Sequence, residues 1–411
     1  MTKRSFNTLL AVAILGLIVG AWGMVERLMH GLNPVAFGSY VPWGLWVAFY
    51  LFFLGLSAGA FLIATLTYVF RIKRFDKIGR LSAFTVLIAL LCEVLFIIMD
   101  LGRMSRIYRF FITPSFTSLM TWMFVLFNAM LVIYALKTFF LIREDLVLWA
   151  NDKNRNGNGF YRFLALGRTS YGESDHLRDE NRVHILSMIS LPVGLLFYGT
   201  NGAFFAILMN RPIWNSALTP LLFIMAAILS GGALITFLTH MFMRDDELVT
   251  SLGRTILFVL IVYLFLEALQ FFVGYQTGVT NVVATLDLII SGPYWWTFWL
   301  VHLLIGSLVP LFLFIGRPND SKTVAWACFL IVITFIAVRM NFVVPDLAVY
   351  KLEGLENTFY HARLRTQYTP NLNEWLVSLW IVSLGLVAFL LGARWLPVIS
   401  SRRGGMEHAR Y

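Results

Sequence analysis

Leu91-Cys92-Glu93-Val94-Leu95 lies in the middle of an apolar run, residues 81–101, and Leu266-Glu267-Ala268-Leu269 lies in the middle of another, residues 254–277. A charged side chain near the bilayer centre costs about 2.5–3.5 kcal/mol on insertion scales, so such acids rarely stand idle. The surrounding sequence matches as well. Leu56-Ser57-Ala58-Gly59-Ala60-Phe61-Leu62-Ile63 recurs, one residue shorter, as Leu229-Ser230-Gly231-Gly232-Ala233-Leu234-Ile235. Thr121-Trp122-Met123-Phe124 resembles Trp295-Trp296-Thr297-Phe298. The separations are 173 from Gly59 to Gly232, 174 from Glu93 to Glu267 and 174 from Trp122 to Trp296. Three correspondences in one register imply a duplicated helical unit with an acid in the same helix of each copy.

Composition sets the solvent. With 59% hydrophobic and 13% charged residues, the 411-residue chain falls among polytopic membrane proteins. Apolar runs long enough to cross ~30 Å of hydrocarbon number ten: 7–25, 42–70, 81–101, 119–142, 183–208, 219–243, 254–277, 294–316, 323–344 and 374–397. The expected fold is therefore all-α: a single integral membrane domain, 1–411, built of two duplicated four-helix bundles plus two flanking helices. The first repeat covers 42–208, the second 219–344, and the final transmembrane helix is 374–397.

The net charge of +10 does not mark a nucleic-acid binder, because the basic residues cluster in alternate loops. With Lys3 and Arg4 inside, the inner loops collect 22 Lys and Arg and the outer loops 9, leaving Lys137 within the membrane. Both termini are expected in the cytoplasm and the protein in the cell's inner membrane. Ala21-Trp22-Gly23 is a poor signal-cleavage site, so the first run reads as an uncleaved helix. Cys92 and Cys328 fall inside apolar runs, which argues against a disulfide framework or a metal cluster. The inner loop 143–182 is polar and reads as flexible. The outer loops 102–118, 276–293 and 345–373 mix aromatics, Pro and charge, as a folded docking platform would. Gly55, Ser57, Gly59 and Ser230-Gly231-Gly232 read first as close-packing positions.

Asp100-Leu101-Gly102-Arg103-Met104-Ser105-Arg106, followed by Ser118-Leu119-Met120-Thr121-Trp122, carries a wider resemblance. Together with Pro42-Trp43-Gly44-Leu45-Trp46 leading into Gly55-Leu56-Ser57-Ala58-Gly59, this stretch resembles the NrfD/PsrC family of membrane subunits. Arg211-Pro212-Ile213-Trp214-Asn215, Arg339-Met340-Asn341, and Tyr368 and Pro370 ahead of Glu374-Trp375-Leu376-Val377-Ser378 extend it over nearly the whole chain. The commoner pattern has Pro where this chain has Met104. Ten helices is similar to the HybB-like branch, with its hydrogenase-2, quinone-reductase-complex, DsrP-like and alternative complex III subunits.

The resemblance implies a quinone-reactive subunit, usually without its own redox centre. Such a subunit passes electrons between the quinone pool (menaquinone or ubiquinone) and an extrinsic iron–sulfur, ferredoxin-like protein on the outer face. A further periplasmic catalytic or cytochrome subunit is expected beside it. Quinone chemistry exchanges two electrons and two protons, so the head-group needs hydrogen-bonding partners and a proton supply. Asp100, Arg103, Tyr198 and Asn201 lie toward the outer ends of the third and fifth runs and are candidates for that pocket, with Tyr50 a weaker one. Asp100 and Arg103 could instead form an interfacial ion pair capping the helix, and Tyr198 a packed aromatic. Glu93 and Glu267 read as proton-relay groups, and His302 as either a relay or a packing residue. His184 and His240, near the cytoplasmic ends of their helices, read as solvated interface residues. No Cys-x-x-Cys-His occurs and no helix carries two suitably spaced His, so neither haem nor an iron–sulfur cluster is expected on this chain. A secondary transporter, or a purely structural anchor, are the competing readings.

Overall fold

The computed structural model describes residues 2–152, 157–350, 354, 361 and 363–399. Among these the protein is helical without strands, and ten helices are long and apolar enough to cross a membrane. It is an all-α, multi-pass membrane protein. The spanning helices are α1 Lys3–His30, α2 Leu45–Tyr68, α3 Asp76–Asp100, α4 Leu119–Asn151, α5 Glu173–Ala206, α6 Thr219–Phe242, α7 Asp246–Gln276, α8 Thr297–Gly316, α9 Ser321–Leu347 and α10 Leu372–Trp395.

Helices α2 to α5 pack on one another, as do α6 to α9, and α1 pairs with α10 on the flank. The seam between the groups is α2 against α6. It closes on small residues: a Cβ built on Gly59 would stand 2.5 Å from the Gly231 Cα, so the two backbones touch directly. The α1–α10 pair uses the same device at Gly16, Gly20 and Gly23, one stripe at helical spacing. A Cβ on Gly20 would meet the Leu376 carbonyl oxygen at 2.7 Å.

Hydrogen bonds sort the connections into two faces. On one face Arg363 bonds the Leu32 carbonyl at 3.3 Å, Asn371 bonds that of Pro34 at 2.6 Å, Arg27 bonds that of Leu101 at 2.6 Å, and Arg211 bonds that of Asp346 at 2.5 Å. On the other face Lys77 meets Asp245 at 2.6 Å, Arg80 meets Asp145 at 2.5 Å, and Arg254 meets Asn319 at 2.9 Å. The first set joins the loops read above as outer and the second those read as inner, so the alternation holds.

Two local expectations need correction. The inner loop is not a long flexible connection in its described part. Helix α4 runs on to Asn151, Asn158–Leu164 is helical, and α5 starts at Glu173. The buried ring of Tyr161 packs edge-on against Trp149 at 5.4 Å, and Arg143 is paired with Asp179 at 3.0 Å, which holds these extensions together. The centre of that loop, residues 153–156, lies outside the described residues, as do 351–353, 355–360 and 362 of the outer loop 345–373. Arg339, counted with the outer loops although it falls in the run 323–344, is instead buried inside α9, two turns before that helix ends at Leu347. Residues Thr297–Leu308 of α8 are wound as a π-helix, and a short amphipathic helix, Thr280–Ile290, precedes it within the loop read as 276–293.

Candidate functional site

Four helices each contribute one stripe to a cavity of about 240 Å³ at the Asp100 end of the first group. From α3 come Glu93, Phe96, Ile97 and Asp100, spaced i, i+3, i+4, i+7, so all four point the same way. Trp43, Val47 and Tyr50 enter from the start of α2; Met120, Met123, Phe124 and Phe127 enter from α4. Phe197, Asn201, Phe204 and Phe205 enter from α5. The walls are aromatic: Trp43 is stacked on Trp214, with centroids 5.8 Å apart, and lies against Phe204 and Phe205.

The polar groups are few and unevenly satisfied. Tyr50 donates its hydroxyl to the Asn201 side-chain oxygen, and Asn201 in turn donates to the Phe197 carbonyl at 2.8 Å, which fixes both side chains. Glu93 is 1% exposed, and neither of its carboxylate oxygens has a hydrogen-bond partner in the protein; Asp100 Oδ1 is likewise buried and unpartnered. Buried polar atoms are bonded in the great majority of cases, so three orphaned carboxylate oxygens around one cavity need an explanation. A ligand bearing hydroxyl or carbonyl groups supplies one. Asp100 ends α3, and Glu93 lies two turns deeper, about 10 Å at 1.5 Å per residue.

The structure brings Tyr50, Glu93, Asp100 and Asn201 together and leaves two expected residues out. Tyr198, one residue from Phe197, is turned about 100° away around α5. It donates to Ser57 Oγ at 3.2 Å and packs against Phe61. Arg103 is exposed in the loop after α3. The cation beside Asp100 is Arg27, from α1. It is buried and donates to the carbonyls of Met99 at 2.8 Å and Leu101 at 2.6 Å. The last carbonyls of a helix are its negative end, so a buried guanidinium there both caps α3 and sits beside its terminal carboxylate. Sequence reading missed it because Arg27 lies 73 positions from Asp100 and was counted only as a topology marker.

Glu267 and His302 meet, as their sequence order allowed, but in a different place from Glu93. The Glu267 carboxylate lies 2.8 Å from His302 Nε2 and accepts from the Tyr263 hydroxyl at 3.2 Å. Glu267 and Tyr263 line a separate cavity of about 340 Å³ among α6, α7, α8 and α9. His302 stands in the π-helical part of α8, a distortion that often accompanies functional sites. Lys137 is fully buried between the rings of Tyr68 and Tyr134, 4.8 and 5.1 Å from their centroids. Among the described residues no cluster of three or more metal-ligating side chains occurs.

Comparison with known proteins agrees with this architecture. The family model described as "Polysulphide reductase, NrfD" matches residues 35–350, which takes in every helix lining both cavities. The chain is 28% identical to a subunit of the selenate reductase of Mesobacillus selenatarsenatis, over 98% of this chain and 96% of that one. It is 23% identical to the Hdr-like menaquinol oxidoreductase integral membrane subunit of Archaeoglobus fulgidus, over 93% and 91%. With the integral membrane subunit of the menaquinone reductase of Nitratidesulfovibrio vulgaris it shares 21% identity, over 92% of this chain and 88% of the other. On the match across residues 35–350, the chain belongs to the NrfD family.

Proposed function

We propose that this chain is the quinone-interacting membrane subunit of a multisubunit respiratory oxidoreductase, with its quinone site in the cavity at the outer end of α3. The observation that carries this is the set of unpartnered oxygens on Glu93 and Asp100, inside an otherwise aromatic cavity fit for a ring and the start of an isoprenoid tail. The names of the relatives point the same way. Each is a subunit of a reductase or oxidoreductase, and two of those enzymes are named for menaquinol or menaquinone.

A bound quinone supplies two-electron, two-proton chemistry. The chain's own part is to hold the ring and handle the protons. Tyr50 and Asn201, locked to each other, set one edge of the site, while Trp43 and the phenylalanines keep water away. Asp100, at the mouth, and Glu93, deeper, are positioned as proton acceptors or donors for the head-group. Arg27 steadies the carboxylate of Asp100. Glu267 with His302 would serve a separate proton route through the second helical group. The electron partner is an extrinsic iron–sulfur subunit on the outer face, accompanied by a catalytic or cytochrome subunit. Both termini are cytoplasmic, and the membrane is the cell's inner one.

Asp100→Asn tests the assignment in the purified complex. Removing a positioned general acid or base costs about 100-fold or more in rate, so quinone-coupled turnover should fall by that order while the subunits still co-purify in the parental ratio. The transporter and anchor readings both leave turnover unchanged, and that result would remove Asp100 from the site.

A further inference from the structure

The second cavity repeats the first position by position. Glu93, Phe96, Ile97, Asp100 and Phe124 line one; 174 residues on, Glu267, Gln270, Phe271, Gly274 and Phe298 line the other. Tyr50 and Phe223 correspond in the same way at a separation of 173. The chemistry, however, is inverted. Asp100 and Tyr50 have given way to Gly274 and Phe223, and Glu267 already accepts from Tyr263 and lies against His302. What remains unpartnered here is N–H: Arg339 Nε and Asn341 Nδ2, both buried and without acceptors. Arg339 is 3% exposed and held over the rings of Phe223 and Phe335, 5.0 and 5.3 Å from their centroids. The Asn341 side-chain oxygen is taken by Thr297 at 2.6 Å, so its amide nitrogen is the free end.

A buried donor left unbonded costs about 1–3 kcal/mol, more when charged, so two donors on one cavity wall call for an acceptor. We propose that this cavity is a second binding site, specific for the oxidised quinone head-group, with Arg339 and Asn341 donating to its carbonyl oxygens. The inference rests on the reading of the first cavity as a quinone site. An oxidised quinone has two carbonyl acceptors and no donor, which suits this wall. The quinol brings two O–H donors, which suit the bare carboxylates of the first cavity instead. A phospholipid phosphate would also accept from Arg339, but it would bring a negative charge into a cavity that already holds the Glu267 carboxyl group, whereas a neutral head-group meets no such repulsion. The apolar remainder, including Phe271 stacked on Phe298 at 5.1 Å, accommodates a ring and tail.

The test uses the intact complex in nanodiscs with a photoreactive oxidised quinone, the labelled peptides being mapped. Label is expected in two groups, one from α3 and α5 and one from α7 and α9. Unlabelled quinone should protect both groups, and quinol the first preferentially. Arg339→Gln and the milder Asn341→Ala should each lower label in the second group at least tenfold and leave the first unchanged, which also shows that the variants fold. Label confined to the first group overturns the second site while sparing the proposed function. Label confined to the second group supports this site and removes the first, and label in neither sinks both. Loss of a tightly bound anionic phospholipid from Arg339→Gln, seen by native mass spectrometry with quinone stoichiometry unchanged, would reassign the cavity to lipid.

Discussion

Glu93 shows how far a single residue can be read. Its hydropathic isolation was read from the sequence, whereas its place in one cavity with Asp100 was not, although i and i+7 share a helix face; the two acids were expected in separate roles. Asn201 and Tyr198 were indistinguishable at that level. Both lie near the outer end of one helix, and only the rotation of α5 about its axis, set by packing, turns Asn201 inward and Tyr198 toward Ser57. Arg27 and Arg339 were hidden for another reason. Counting charges by loop ignores that a long side chain on a helix can turn inward to carbonyls or rings. The proposed roles predict different responses. Glu93→Gln keeps the shape and one acceptor but cannot exchange a proton, so turnover should drop by about 100-fold or more with assembly intact. Tyr198→Phe loses only a hydrogen bond to Ser57, about 1 kcal/mol of stability and no group at the cavity, so turnover should stay close to the parent's. Steady-state assays of the two variants side by side check the distinction, and parental activity in Glu93→Gln would return that acid to a packing role.

The elements were legible in proportion to how strictly lipid dictates them. Ten runs became ten helices because a spanning backbone must bond to itself. The polar extensions of α4 and α5, the π-helical stretch of α8 and the amphipathic helix Thr280–Ile290 were not foreseen, since each depends on contacts between segments rather than on hydropathy. The small-residue seam was foreseen. Gly59→Val would drive a branched side chain into the Gly231 backbone, and overpacking of this kind costs about 1–3 kcal/mol or more. A lower melting temperature in detergent is the expected result, and an unchanged one would mean that α2 and α6 can separate freely. On the opposite face, among the loops read as inner, Asp245 caps α7 through the Leu248 N–H at 3.1 Å and ties it to α3 through Lys77. Asp245→Ala should destabilise the fold by about 1 kcal/mol, the usual cost of losing a cap. Its carboxyl is held below the usual carboxylate range, chiefly by the Lys77 hydrogen bond. The stabilisation is therefore complete above about pH 4 and disappears as pH falls through the lower folded-state value. Thermal melts of parent and variant at stepped pH should converge only in that acid range.

At the scale of the whole molecule the two faces carry different work. Among the described residues, the loops read as outer are bonded to one another, and the buried phenol of Tyr368, its pKa pushed up by burial, accepts from the Leu45 N–H and donates to Glu374 within that network. In the proposed function this is the face that receives the extrinsic partner, and Phe111, Ile112, Phe116 and Met209 are exposed on it. If quinone binds in the first cavity, as proposed, electrons delivered from this face never cross the bilayer, and the protons alone decide whether turnover builds a potential. Exchange with the outer face needs only Asp100 at the mouth. Exchange with the cytoplasm needs protonatable groups through ~30 Å of hydrocarbon. Glu93 on the wall of the first cavity, and Glu267 on the wall of the second with His302 beside it, are the acids placed for that passage. Quinone turnover by the complex in liposomes should therefore generate a membrane potential, read by a voltage-sensitive dye. A Glu93→Gln, Glu267→Gln double variant should lose the potential per turnover in addition to any loss of rate. Scaling the signal to turnover separates the two, because a variant impaired only at the quinone site would build the parental potential for each quinone consumed. The same potential per turnover in the double variant would end the relay proposal and leave both glutamates as packing residues.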